Sequence, residues 1–144
     1  MKNDLVLILV RKNSKRLKDK SFLKINNTTL FERTVKFSKK FYDNNQILVS
    51  TDSKKIYNLS NDLNLVCPWL RPKYLSNDKS SSYAAALHAI KWYEKNIKKV
   101  NNIILFQCTT PFRKNSTFYV EMRVERLLWP QRMANLHRSQ AFVL

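Results

Sequence analysis

At 144 residues the chain is long enough for one domain with a real core. It holds no apolar stretch near the ~20 residues of a membrane span, and its first apolar run is shorter than the roughly 7–15 residues of a signal-peptide core, so a cytoplasmic protein is expected. The net charge of +17 suggests nucleic acid, but widespread Lys, abundant Asn and absent Gly all follow from AT-rich codons, and no zinc-ligand spacing, RNP-type aromatic motif or homeodomain-like helix supports that reading.

Leu5-Val6-Leu7-Ile8-Leu9-Val10 reads as a strand buried on both faces of a parallel sheet. The loop after such a strand lies at the carboxyl edge, where α/β folds bind ligands. Here it carries Arg11, Lys15, Arg16, Lys18 and Lys20, with the Ser14 hydroxyl among them, and calls for an anion such as phosphate. Arg16 and Lys18 are read as solvated. Thr29 to about Phe41 reads as a helix opened by the capping-box pair Thr29 and Glu32. Leu30, Thr34, Phe37 and Phe41 share a face; Lys36, Lys39 and Lys40 make a solvated one.

Gln46 to Ser50 is a second strand, ending in Thr51-Asp52. Asp52 serves either the site or the cap of the helix that follows, from Ser53 to Leu63, with Ile56, Leu59 and Leu63 as its apolar stripe. Leu65-Val66-Cys67 is a short third strand. Pro68 and Pro72 keep residues 68–79 irregular. Ser80 or Ser81 caps a long helix on which Tyr83, Leu87, Ile90, Tyr93 and Ile97 keep a helical period, with His88 as a packing residue. Ile103 to Phe106 is a fourth strand, leading into Gln107 to Arg113. Cys67 and Cys108 are isolated and read as buried free thiols.

Strands alternating with helices predict an α/β, Rossmann-like parallel sheet covered by helices on both faces. Its loops then gather four segments at one edge: the basic loop, Thr51-Asp52, residues 71–82 and residues 107–113. The composition changes near residue 120. Residues 121–144 hold none of the 18 Lys but four of the nine Arg, and one Asn against fourteen upstream. The expected division is therefore a nucleotide-binding domain over 1–120 and an anomalous tail over 121–144, foreign or frameshifted, with the fold incomplete at the C-terminus. A Lys- and Asn-rich continuation in the adjacent reading frame of the coding DNA would bear this out.

The four segments together resemble the acylneuraminate cytidylyltransferases, or CMP-sialic acid synthetases, over roughly residues 4–118. Arg11, Ser14, Lys15 and Lys20 match the family's first motif, and Val49-Ser50-Thr51-Asp52 its strand-end Ser-Thr-Asp. Leu70-Arg71-Pro72, Asp78, Ser80-Ser81-Ser82 and His88-Ala89 match a third motif, and Gln107-Cys108-Thr109-Thr110-Pro111-Phe112-Arg113 a fourth. The enzymes that activate KDO with CTP share Arg11 to Leu17 but not the Gln107 motif, and rank second within the same chemistry.

This resemblance implies a fold of the nucleotide-diphospho-sugar transferase type. It also implies CMP transfer from CTP to an acidic nine-carbon sugar, with release of pyrophosphate, for surface glycan or lipopolysaccharide biosynthesis. By the same analogy Arg11, Lys15 and Lys20 are catalytic, holding the triphosphate and offsetting charge on the leaving group. Ser14, Ser21, Arg71, Ser81 and Ser82 join them in binding the nucleotide; Gln107, Thr109 and Arg113 face the sugar acid. The chain departs from the family in places. The first loop has no Gly, for which Asn13 is a substitute able to take the left-handed conformation; Ser21 replaces an Asn and Cys108 a Pro. The family uses Mg²⁺ and forms dimers, yet its Asp-x-Asp metal pair and dimerisation segment are missing here, the last Asp being Asp78. No metal ligand is therefore assigned, and slow or absent turnover is expected. The competing expectations are a non-catalytic nucleotide- or phosphate-binding remnant and, behind it, a basic nucleic-acid-binding protein.

Overall fold

The computed structural model describes residues 3–12, 20–108 and 123–125. Strand β1 (Asp4–Val10) is the centre of the sheet. It pairs in parallel with β4 (Ile47–Thr51), from Val6 opposite Ile47 to Val10 opposite Thr51. On its other side it pairs in parallel with β5 (Asn102–Phe106), from Asp4 opposite Asn102 to Ile8 opposite Phe106. Backbone residues 123–125 form β6 (Arg123–Glu125), antiparallel on the outer side of β5; the rest of the tail lies outside the described residues.

The uninterrupted apolar run of β1 is explained by what covers it, because alternate side chains meet different helices. Val6, Ile8 and Val10 join Ile47, Val49, Ile104 and Phe106 in one core, with residues of α1 (Leu30–Ser38) and α2 (Lys54–Asp62). Leu5 and Leu7 join Leu48, Ile103 and Leu105 in a second core, closed by α3 (Ser82–Asn96). The parallel, doubly covered sheet is the Rossmann-like α/β arrangement expected. Two helices on one face and one on the other put the reversal of winding between β1 and β5, where such sheets leave a crevice.

Helix starts follow the sequence signals closely. Thr29 accepts from the Glu32 backbone N–H, and the Glu32 carboxylate accepts from the Thr29 N–H, completing the capping box. The Thr29 hydroxyl, donating to the Glu32 carboxylate at 2.6 Å, and then the Thr29 N–H hold the Glu32 carboxyl below its ordinary range. Ser81, not Ser80, caps α3 by accepting from Ala84 N–H at 3.1 Å. The face that α3 buries is narrower than its long apolar residues suggest: Ala85, Ala86, Ala89, Ile90 and Tyr93 are buried, while Ile97 lies beyond the helix and is 42% exposed. Small side chains let the helix approach the sheet, and the Tyr93 hydroxyl donates to the Asn45 carbonyl at 2.7 Å.

Two expectations change. The third strand shrinks to one parallel bridge between Val66 and Leu48, because Pro68 follows and offers no N–H to extend the ladder. Between the basic loop and α1 stands a hairpin that hydrophobic periodicity does not signal: β2 (Lys24–Ile25) and β3 (Thr28–Thr29). Its turn residues Asn26 and Asn27 have φ of 49° and 59°, and Asn64 after α2 has φ of 55°. In a chain without Gly, Asn takes the left-handed positions. Asn13 lies outside the described residues.

The amino end of the sheet is closed by a polar network. Asp4, 1% exposed, accepts from Asn102 Nδ2 at 2.7 Å and from the Tyr42 hydroxyl at 3.4 Å, and its carbonyl accepts from Gln46 Nε2 at 3.1 Å. Cys67 and Cys108 are both buried and not joined in a disulfide. Burial pushes the Cys67 thiol up to about 11, which removes it from nucleophilic chemistry. No helix among the described residues is long and apolar enough to cross a membrane.

Candidate functional site

The parallel register carries Val10, Thr51 and Phe106 to one edge, so Arg11, Asp52 and Gln107 emerge together. Arg71, from the irregular stretch after Val66, is driven into that edge and is 5% exposed. Its backbone N–H donates to the Thr51 carbonyl at 2.7 Å. Its Nε donates to Ser50 Oγ at 3.0 Å, and one terminal nitrogen donates to the carbonyls of Val10, at 3.4 Å, and Ser50. A buried guanidinium needs such partners, since removing a charge from water costs several kcal/mol. Burial pulls the Arg71 pKa down to about 10; the Asp52 carboxylate opposes that shift and Arg11 adds to it. Arg71 therefore stays cationic at neutral pH and binds the ends of β1 and β4 together.

Arg11 begins the basic loop. It makes an ion pair with Asp78, its terminal nitrogen 2.8 Å from the carboxylate, while its Nε is buried with no partner among the described residues. Asp78, a residue that the sequence places in a motif without giving it a duty, thus draws the 71–82 segment onto the loop. The Lys12 backbone N–H donates to the Asp52 carboxylate at 2.7 Å. Of the two duties open to Asp52, capping is filled by its neighbour: Ser53 Oγ accepts from the Ile56 N–H.

Lys20 and Ser21 lie in a 3-10 turn (Lys20–Phe22), both partly buried. Ser21 shares a shallow depression with Arg11, Lys12 and Ser53. Ser81 is occupied as the cap of α3, and Ser82 is exposed on its first turn. Gln107 is exposed at the end of β5. The structure thus brings Arg11, Ser21, Asp52, Arg71 and Asp78 together directly. Ser14, Lys15, Thr109 and Arg113 lie outside the described residues.

His88 packs edge-on against Trp69, with ring centroids 5.1 Å apart, and Trp69 in turn meets Trp92 at 5.0 Å. Burial and the nearby Arg71 charge lower the His88 pKa, so its imidazole is neutral at pH 7. Among the described residues, no three His, Cys, Asp or Glu side chains form a group that could hold a metal ion by themselves. The two carboxylates at the edge, Asp52 and Asp78, are already engaged by Lys12 and Arg11.

The cytidylyltransferase family profile matches residues 5–121. Over 123 residues the chain is 27% identical to the CMP-N,N'-diacetyllegionaminic acid synthase of Legionella pneumophila. The match covers 85% of this chain and 53% of that relative, so the chain spans about half of the relative's length.

Proposed function

The chain belongs to the cytidylyltransferase family, and we propose that its carboxyl edge binds CTP for transfer of CMP to a nonulosonic sugar acid. The observation that carries this reading is the convergence of Arg11, the Lys12 amide and the buried Arg71 cation at the carboxyl ends of β1 and β4. In the reaction, a sugar hydroxyl oxygen bonds to the α-phosphorus. The α–β phosphoanhydride bond breaks, pyrophosphate leaves with the electron pair, and the hydroxyl proton passes to solvent. Such transfers depend on positioning and charge neutralisation rather than on a covalent nucleophile.

Within that reaction, Arg11, Lys15 and Lys20 neutralise the triphosphate and the leaving pyrophosphate. Ser14, Ser21, Ser81 and Ser82 offer neutral hydroxyls to the nucleotide. Arg71 holds the strand ends that shape the pocket, with its charge close to the phosphates. Gln107, Thr109 and Arg113 take the sugar-acid side, where an Arg suits a carboxylate. The sugar acid belongs to the class named in the Legionella relative. Localisation in the cytoplasm and a place in surface glycan synthesis complete the proposal.

The test is calorimetric titration with CTP, UTP and ATP. Incubation with CTP, Mg²⁺ and either N-acetylneuraminic or N,N'-diacetyllegionaminic acid follows, with pyrophosphate as the readout. CTP-selective binding supports the reading, and equal binding of all three nucleotides sinks it. The engagement of Asp52 and Asp78 favours a second reading, a nucleotide-binding remnant, for which CTP binds and no pyrophosphate appears.

A further inference from the structure

Asp52 has a duty that neither helix capping nor metal binding accounts for. Its carboxylate takes the Lys12 backbone N–H at 2.7 Å, across 40 residues of sequence, and it is the anion that opposes the loss of charge at Arg71. We propose that Asp52 is a positioning residue that fixes Arg11 and Lys12 at the end of β1, and with them the Arg11 cation that meets the CTP phosphates. The inference rests on the CTP reading for its ligand, but not for its geometry.

Three observations lead to it. The bond at the Lys12 amide pins the backbone directly beside Arg11, the cation that begins the basic loop. A hydrogen bond to an ionised acceptor is about twice as strong as a neutral one. The other tether, Arg11 to Asp78, joins side chains that are 35% and 59% exposed, and pairs of that kind hold a loop weakly.

Charge alone predicts the opposite behaviour. A carboxylate among Arg11, Lys12 and Arg71 repels phosphate, so if Asp52 acted only through its charge, removing it would tighten CTP binding. As a positioning residue, its loss weakens binding. Asp52→Asn separates the two effects, since it keeps an acceptor for the Lys12 N–H and gives up the charge.

The experiment compares the full chain with its D52A, D52N and D52S variants, after melting curves show that each is folded. Trypsin cleavage without ligand after Arg11 and Lys12 reads this stretch directly. The D52A variant is expected to be cut at least roughly five-fold faster and to bind CTP roughly ten-fold more weakly, with D52N, whose neutral acceptor holds the Lys12 N–H less strongly, between D52A and the parent in both. D52S, which also presents an acceptor oxygen, falls between them and replaces D52N if that variant does not fold. Cleavage of D52A at the parent rate, or of D52N as fast as D52A, overturns the proposal. Tighter CTP binding by D52A also overturns it. If the parent chain does not bind CTP, the CTP reading fails while the cleavage rates still decide the role of Asp52.

Discussion

The two ends of strand β1 handle buried polar groups in opposite ways. At the amino end, Asp4 is 1% exposed and meets the Asn102 and Tyr42 side chains. At the carboxyl end, Arg71 is nearly as buried at 5% exposed, but it sits beside a second cation, Arg11, whose Nε has no partner among the described residues. One end has a polar group matched to its surroundings; the other has cations in excess of what its carbonyls and two carboxylates satisfy. The first arrangement supports the fold, whereas the second is where the proposed CTP site lies.

Substitutions at the two ends break or sharpen this contrast. The largest effect is expected at the carboxyl end from Arg71→Met. It removes the group that joins Ser50 and Val10, and unfolding in urea should show a loss of about 3–5 kcal/mol. A loss below about 1 kcal/mol would mean that Arg71 is free for ligand rather than holding the strands. Next is Asp4→Ala, expected to cost about 2–3 kcal/mol by stranding the donors of Asn102 and Tyr42, with CTP affinity unchanged when measured well below the variant's melting temperature. A change in CTP affinity would break the contrast.

Arg11→Ala should do the reverse. Its half-exposed ion pair gives a stability change within about 0.5 kcal/mol, while CTP affinity falls about ten-fold or more. The smallest effect is expected from acid. The His88 pKa is lowered on folding, so the unfolded chain binds the proton more readily. Stability should then decline as pH falls below the unfolded value near 6.5, and His88→Asn should flatten that decline in melting temperatures recorded from pH 7.5 to 5.

The relation between chain and fold is clearest at particular residues. Leu5 to Val10 already specify a strand covered on both faces, because an unbroken apolar run leaves no side for water. Thr29 with Glu32, Ser53 and Ser81 mark three helix starts, since capping chemistry is local and needs only the following turn. The turn at Asn26 and Asn27 was harder to see because Asn, unlike Gly, serves many other positions. The short bridge at Val66 depended on what paired with it, which no local signal states.

At the site, the sequence by itself determined the ingredients: a basic loop after a buried strand, an Arg after a short apolar segment, and acidic residues at Asp52 and Asp78. Only the tertiary structure decided their roles. It sent Arg71 inward to the carbonyls of β1 and β4, assigned capping to Ser53, and turned Asp52 toward Lys12 and Asp78 toward Arg11. The physical reason is range. Capping and periodicity act within a few residues, whereas these charge pairings join segments from 21 to 67 residues apart that meet only once the parallel sheet has formed.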